Sequence, residues 1–100
     1  MAKLGIFVRL HAKAGQEKTL SDFLAGALPL ANAESGTTSW FALRLDERTF
    51  GIFDTFDDDA GRQAHLTGPI AAALMANADA LLSEPPKIEM VDLLAAKLPG

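Results

Sequence analysis

Three polar residues, Asp46-Glu47-Arg48, separate two runs rich in β-branched and aromatic side chains, Thr37–Leu45 and Thr49–Phe56. So short a connection joins strands that run side by side in opposite directions, because a parallel crossover needs a dozen residues or more. The chain therefore has an antiparallel hairpin at its centre, and every other element must be built onto it.

Ahead of the hairpin, Leu4–Ala12 alternates with period two. Leu4, Ile6, Val8, Leu10 and Ala12 share one side, and Gly5, Phe7, Arg9 and His11 the other, which predicts a strand. Ala14-Gly15 breaks it. Gln16–Ala33 then carries Leu20, Phe23, Leu24, Ala27, Leu28 and Ala31 on one helical stripe. Pro29 lacks an N–H and is expected to bend or end this helix near Leu28. Glu34-Ser35-Gly36 closes the segment with a permissive turn. Behind the hairpin, Asp57-Asp58-Asp59 offers capping carboxylates to a short helix, Ala60–Leu66. Gly68-Pro69 breaks and restarts the chain, since Pro is well placed at a first helical position. Ile70–Leu82 continues with Ile70, Ala73, Leu74, Ala78 and Leu81 on one side. Pro85-Pro86 stops it, and Lys87–Ala96 is expected as a last strand.

The order is β-α-β-β-α-β. It predicts a single α+β domain over residues 1–100 with the ferredoxin-like plan, a four-stranded antiparallel sheet with helices on one face. The helices cover one side of such a sheet, yet the strands carry apolar groups on both. Exposing Phe7, Phe53 and one of Trp40 or Phe41 would leave a patch larger than the ~300–600 Å² typical of a monomer. Two sheets are therefore expected to meet face to face in a symmetric homodimer.

Composition narrows the function. There is no cysteine, which excludes disulfides, thiolate metal sites and cysteine nucleophiles. The net charge of −4 and the pI of about 4.9 oppose a phosphate backbone, so no nucleic-acid partner is expected. No apolar run approaches the ~20 residues of a membrane span. The start, Met1-Ala2-Lys3-Leu4-Gly5, does not read as a signal peptide, and the cytoplasm is the expected location.

His65, in Ala64-His65-Leu66-Thr67-Gly68-Pro69, is the candidate base. With an ordinary pKa near ~6.5 it takes a proton at neutral pH. The alternative is a helix-end histidine favoured by the dipole and without chemistry. Asp54 lies in the apolar row Phe50, Ile52, Phe56, where a carboxylate needs a partner. It either orients His65 or contacts a ligand hydroxyl, or else it forms a salt bridge or cap. Asn77 interrupts the last helix's stripe and faces either a ligand or a neighbouring carbonyl. Trp40, the single tryptophan, either stacks on a ligand or fills the core or the dimer seam. Phe23 and Leu24 would wall a pocket. Arg9 and His11 are expected to face solvent or a partner subunit. The Asp57–Asp59 run reads as a cap, because it lacks the alternate spacing of a calcium loop.

Glu34-x-Gly36 before an aromatic-bearing strand, Phe56 at the end of the third strand, and His65 nine residues later in Ala-His-Leu-x-x-Pro together resemble the antibiotic biosynthesis monooxygenase family, from Val8 to about Leu94. The resemblance implies a dimeric α+β barrel with one apolar pocket per subunit between sheet and helices. It implies oxidation of quinols or polycyclic phenols with O2, with no metal or flavin cofactor. His65 would be the catalytic base and Asp54 its partner. Phe56, Trp40, Asn77, Val8, Phe23 and Leu24 would contact the small aromatic substrate. A related branch degrades haem, but it has Asn where this chain has Val8 and Trp where it has Phe56. Some quinol-oxidising members have a second His where this chain has Ile70. Two other readings share the fold: a non-catalytic small-molecule-binding or stress-associated dimer, and an isomerase or lyase using His65 for proton transfer.

Overall fold

The hairpin turn is built by one side chain. In the computed structural model, which describes residues 2–99, Asp46 Oδ1 accepts from the N–H groups of Arg48 and Thr49 at 3.0 and 2.8 Å. The Leu45 N–H donates to the Thr49 carbonyl. An Asp side chain that imitates a backbone turn is the local reason the two strands fold back on each other.

The elements follow the expected order, with the first helix divided: β1 (Leu4–His11), α1 (Glu17–Gly26), α2 (Leu28–Asn32), β2 (Thr37–Arg44), β3 (Thr49–Phe56), α3 (Asp59–Leu66), α4 (Pro69–Leu81) and β4 (Lys87–Asp92). The strands form one antiparallel sheet in the order β2-β3-β1-β4. This is the ferredoxin-like arrangement. The division between α1 and α2 falls at Ala27, and Pro29 sits in the first turn of α2, where its missing N–H breaks no helical bond. Asp58 caps α3 by accepting from the Gly61 N–H at 2.8 Å, and Pro69 opens α4.

The last strand is shorter than the expected Lys87–Ala96. Asp92 pairs with Leu4, the first residue of β1, so beyond it the ladder has no further partner strand to extend along. One bond, from the Leu93 N–H to the Lys3 carbonyl, follows.

The core lies between the sheet and the helices. Ile6, Val8, Leu10, Phe50, Ile52 and Phe56 from the strands pack against Leu20, Leu24, Leu74 and Leu81 from the helices. Of the expected α1–α2 stripe, Leu28 turns outward and is 48% exposed. The pairing Phe41↔Phe53↔Phe7 sets three aromatic rings in one row across the outer face. Trp40 instead pairs with Asp54, on the side of the helices, which resolves which of the two neighbouring aromatics points outward. The outer rings lie low on the sheet. A Cβ on Gly5 would come within 3.3 Å of the Phe53 ring, and one on Gly51 within 3.2 Å of the Phe7 ring. The row therefore presents a flat apolar surface, with Phe41 49% exposed. No helix among the described residues is long and apolar enough to cross a membrane.

Candidate functional site

His65 sits in the last turn of α3 with its side chain 8% exposed, facing the end of β3. Asp54 on β3 and Glu34, just before β2, reach it from two sides. Nδ1 lies 2.6 Å from Glu34 Oε1 and Nε2 lies 2.8 Å from Asp54 Oδ2. The Phe56 ring covers a third side, 5.5 Å between centroids and tilted by 45°. The imidazole is thus held between two carboxylates, one on each nitrogen.

Each partner has a local reason to be there. The alternation of β3 that buries Phe50, Ile52 and Phe56 also points Asp54 inward, fully buried. Glu34 is brought in by the contact of Gly36 with Gly61, which lets the chain before β2 touch α3 backbone to backbone. Thr37 then steadies the carboxylate by donating its hydroxyl to Glu34 Oε1 at 2.8 Å.

The electrostatics around His65 differ from those of an isolated imidazole. Burial alone would push the His65 pKa down, but the hydrogen bonds and charges of Asp54 and Glu34 outweigh it and raise the value to about 9. At neutral pH the ring already carries the proton that a base would have to accept. His65 is thereby an imidazolium, with Nδ1 facing Glu34 Oε1 and Nε2 facing Asp54 Oδ2.

The Nε2–Asp54 Oδ2 contact is a short ion pair, and Asp54 Oδ1 has no further hydrogen-bond partner among the described residues. Glu34 Oε2 and the Trp40 indole N–H are likewise buried without a partner. A buried polar atom left unsatisfied costs about 1–3 kcal/mol, and three side chains around one histidine each carry one such atom. The ring faces Phe56, Glu34 and Asp54 rather than the enclosed apolar pocket expected beside it. The neighbouring space is a half-open recess of about 170 Å³ at the β2 edge, between Trp40, Glu34, Thr37, Leu28 and Ala31. A protonated ring between two engaged carboxylates also offers no lone pair to a metal, and no metal-holding group of three such side chains occurs among the described residues.

The structure brings together His65, Asp54 and Phe56, with Trp40 beside them. Val8 and Leu24 belong to the general core, and Phe23 packs at its margin. Asn77 stands apart: it is exposed on the back of α4, where its amide donates to the Ala73 carbonyl at 2.8 Å, so it does not line the site. His11 pairs with Glu84 at 3.2 Å and Arg9 lies over the Phe7 ring, both away from the cluster. Glu34 is the member that the sequence reading did not name as a site residue. Its signal was the Glu34-x-Gly36 spacing, which marks a carboxylate just ahead of a close backbone approach.

The fold and the cluster place the chain among ferredoxin-like α+β proteins with a buried ionisable centre. No protein-family model matches it, nor does any curated protein. Among solved structures it is 72% identical to NE2512 of Nitrosomonas europaea, a protein of unknown function, over 100% of this chain and 97% of that one, with a TM-score of 0.99. The chain belongs to the family of NE2512. Two more distant structures carry a provisional assignment as antibiotic biosynthesis monooxygenases. One, from Nitrosomonas europaea, has 14% identity, coverage of 92% and 90%, and a TM-score of 0.81. The other, from Chloroflexus aurantiacus, has 18% identity, coverage of 98% and 99%, and a TM-score of 0.75. At those identities the likeness is one of fold.

Proposed function

We propose that the protein is a cofactor-independent monooxygenase that oxidises a small phenol or quinol with O2, working as a homodimer joined through the outer sheet faces. The observation that carries this reading is the buried imidazolium between two carboxylates whose remaining oxygens lack partners. Such oxygens can accept a phenolic proton, and the cation between them holds the cluster's charge in place as the proton arrives. The resulting phenolate is electron-rich enough to reduce O2. The ring then gains one oxygen atom and loses two hydrogens, giving a quinone, and the second oxygen leaves as water. The substrate supplies all four electrons. The provisional oxygenase assignments of the two distant neighbours are consistent with this chemistry.

A second reading, a non-catalytic small-molecule-binding dimer, is favoured by the engagement of both His65 nitrogens by carboxylates. Oxygen uptake separates the two. Consumption of one O2 per phenol without peroxide release, lowered roughly 10²–10⁴-fold by Asp54→Asn, supports the oxygenase. No uptake across a panel of phenols and quinols supports the second reading, and turnover unchanged in His65→Ala removes the histidine from the chemistry.

A further inference from the structure

The strand register arranges the outward side chains of the sheet in rows. One row runs Glu89, Phe7, Phe53, Phe41 from β4 to β2, and the next runs Lys87, Arg9, Gly51, Leu43. The β2 side of this face is apolar, with Phe41 49% and Leu43 38% exposed. The β4 side is charged, and its charges are unanswered within the chain. Lys87, Glu89 and Arg9 make no ion pair among the described residues. Lys87 and Arg9 are even direct cross-strand partners of like sign, which is unfavourable. Arg9 lies over the Phe7 ring, with its guanidinium carbon 5.3 Å from the centroid.

A second copy of the chain answers those charges in one orientation. Consider a two-fold axis lying between two facing sheets. An axis along the strands lays β4 and β1 over the partner's β2 and β3, and covers Lys87 and Arg9 with apolar side chains and no counter-charge, which is costly. An axis across the strands lays β4 over β4 and β2 over β2, so the apolar sides meet. Placed on the first row, it sets Glu89 against its own copy. Placed on the second, it sets Lys87 against its own copy. Placed between the two rows, it exchanges them. Glu89 then faces the partner's Lys87, Arg9 faces the partner's Phe7, and Phe41 faces the partner's Leu43. Phe53 faces the partner's Gly51, which is no gap, because Leu45 and Phe7 already lie over Gly51: a Cβ there would meet each at 3.2 Å. Packed sheets lie ~10 Å apart, a span that a lysine and a glutamate meeting end to end can bridge. We propose that the outer face binds a second copy of this chain in this antiparallel register, with two symmetric Glu89–Lys87 ion pairs at its rim. The inference rests on the sheet-face homodimer proposed above and adds its orientation. The apolar rows supply affinity, and the rim charges select the register.

A charge exchange in the full-length protein tests this register, read by sedimentation equilibrium at low salt. Lys87→Glu and Glu89→Lys each set like charges against one another twice, and each is expected to weaken the dimer by roughly fivefold or more. The double variant, Lys87→Glu with Glu89→Lys, restores two opposite pairs and should return the dissociation constant to within about twofold of the wild type. The differences should shrink in about 1 M salt, where the Debye length is ~3 Å. Within one chain Lys87→Glu acts in the other direction, because it sets a carboxylate beside Arg9 and relieves the like-charge pair. A weaker dimer in that variant therefore does not come from a weaker fold. A dimer that both single variants leave unchanged, or a double variant weaker than either single one, overturns the register and leaves the homodimer standing. A wild type that is monomeric at micromolar concentration sinks both.

Discussion

Gly36 and Gly61 touch backbone to backbone: a Cβ built on Gly36 would fall 2.9 Å from the Gly61 Cα, and one on Gly61 would fall 2.9 Å from the Gly36 carbonyl oxygen. This contact sets the distance between the start of β2 and α3, and so the reach of Glu34 to His65.

Gly61→Ala tests that role with an unusual sign. Gly to Ala within a helix ordinarily stabilises by roughly 0.5–1 kcal/mol. Here the added methyl meets backbone that cannot rotate away, and overpacking of this kind costs about 1–3 kcal/mol. Urea denaturation is expected to show a loss of stability. A gain would mean that the two backbones do not touch.

The ion-paired histidine gives stability a pH dependence of defined direction. His65 titrates near 6.5 in the unfolded chain and at about 9 when folded. Its contribution is therefore fully present below pH 6.5 and is lost as pH rises through 9. Urea midpoints should fall across pH 6.5–9 by the equivalent of about 2–3 kcal/mol in the wild type. In His65→Gln the slope over that window should flatten.

Removing one carboxylate leaves a cation with half its compensation. Asp54 is the more deeply enclosed, with its side chain 0% exposed against 14% for Glu34. Asp54→Asn is expected to destabilise by about 3 kcal/mol and Glu34→Gln by less, since breaking a pair costs more where water cannot replace the lost partner. Either change should lower the His65 pKa, read from its ring-proton shifts.

The outer aromatic row predicts self-association. The chain should sediment as a dimer of the 10.6 kDa protomer at micromolar concentration. Phe41→Glu, at a half-exposed position, should shift it to monomer with little change in the far-ultraviolet circular dichroism. A wild type that sediments as a monomer would contradict the sheet-face interface.

The sequence made the element order legible because period-two and period-3.6 patterns are local, and the breaks at Gly15, Pro29, Gly68-Pro69 and Pro85-Pro86 are local too. Strand limits were less so. The end of β4 depends on where β1 begins, a fact about a partner more than eighty residues away. Alternation showed that Trp40 and Phe41 face opposite ways, but only the register with β3 says which faces the helices. Asp54 could be picked out as a carboxylate inside an apolar row. Glu34 is marked only by the Glu34-x-Gly36 motif, because its importance comes from a partner 31 residues on and from two glycines that let the chain approach. The sequence offers only an ordinary pKa for His65 for the same reason: the Glu34 charge that helps to raise it comes from a distant segment. Asn77 interrupts an apolar stripe, but its bond to Ala73 closes within α4 itself.

The charge on His65 is the point on which the account turns, and nitrogen-15 chemical shifts of its ring measure it directly. A His11→Gln variant leaves His65 as the single histidine to assign. Both ring nitrogens should be protonated at pH 7 and should titrate together near pH 9. A neutral ring at pH 7, titrating near 6.5, would contradict it.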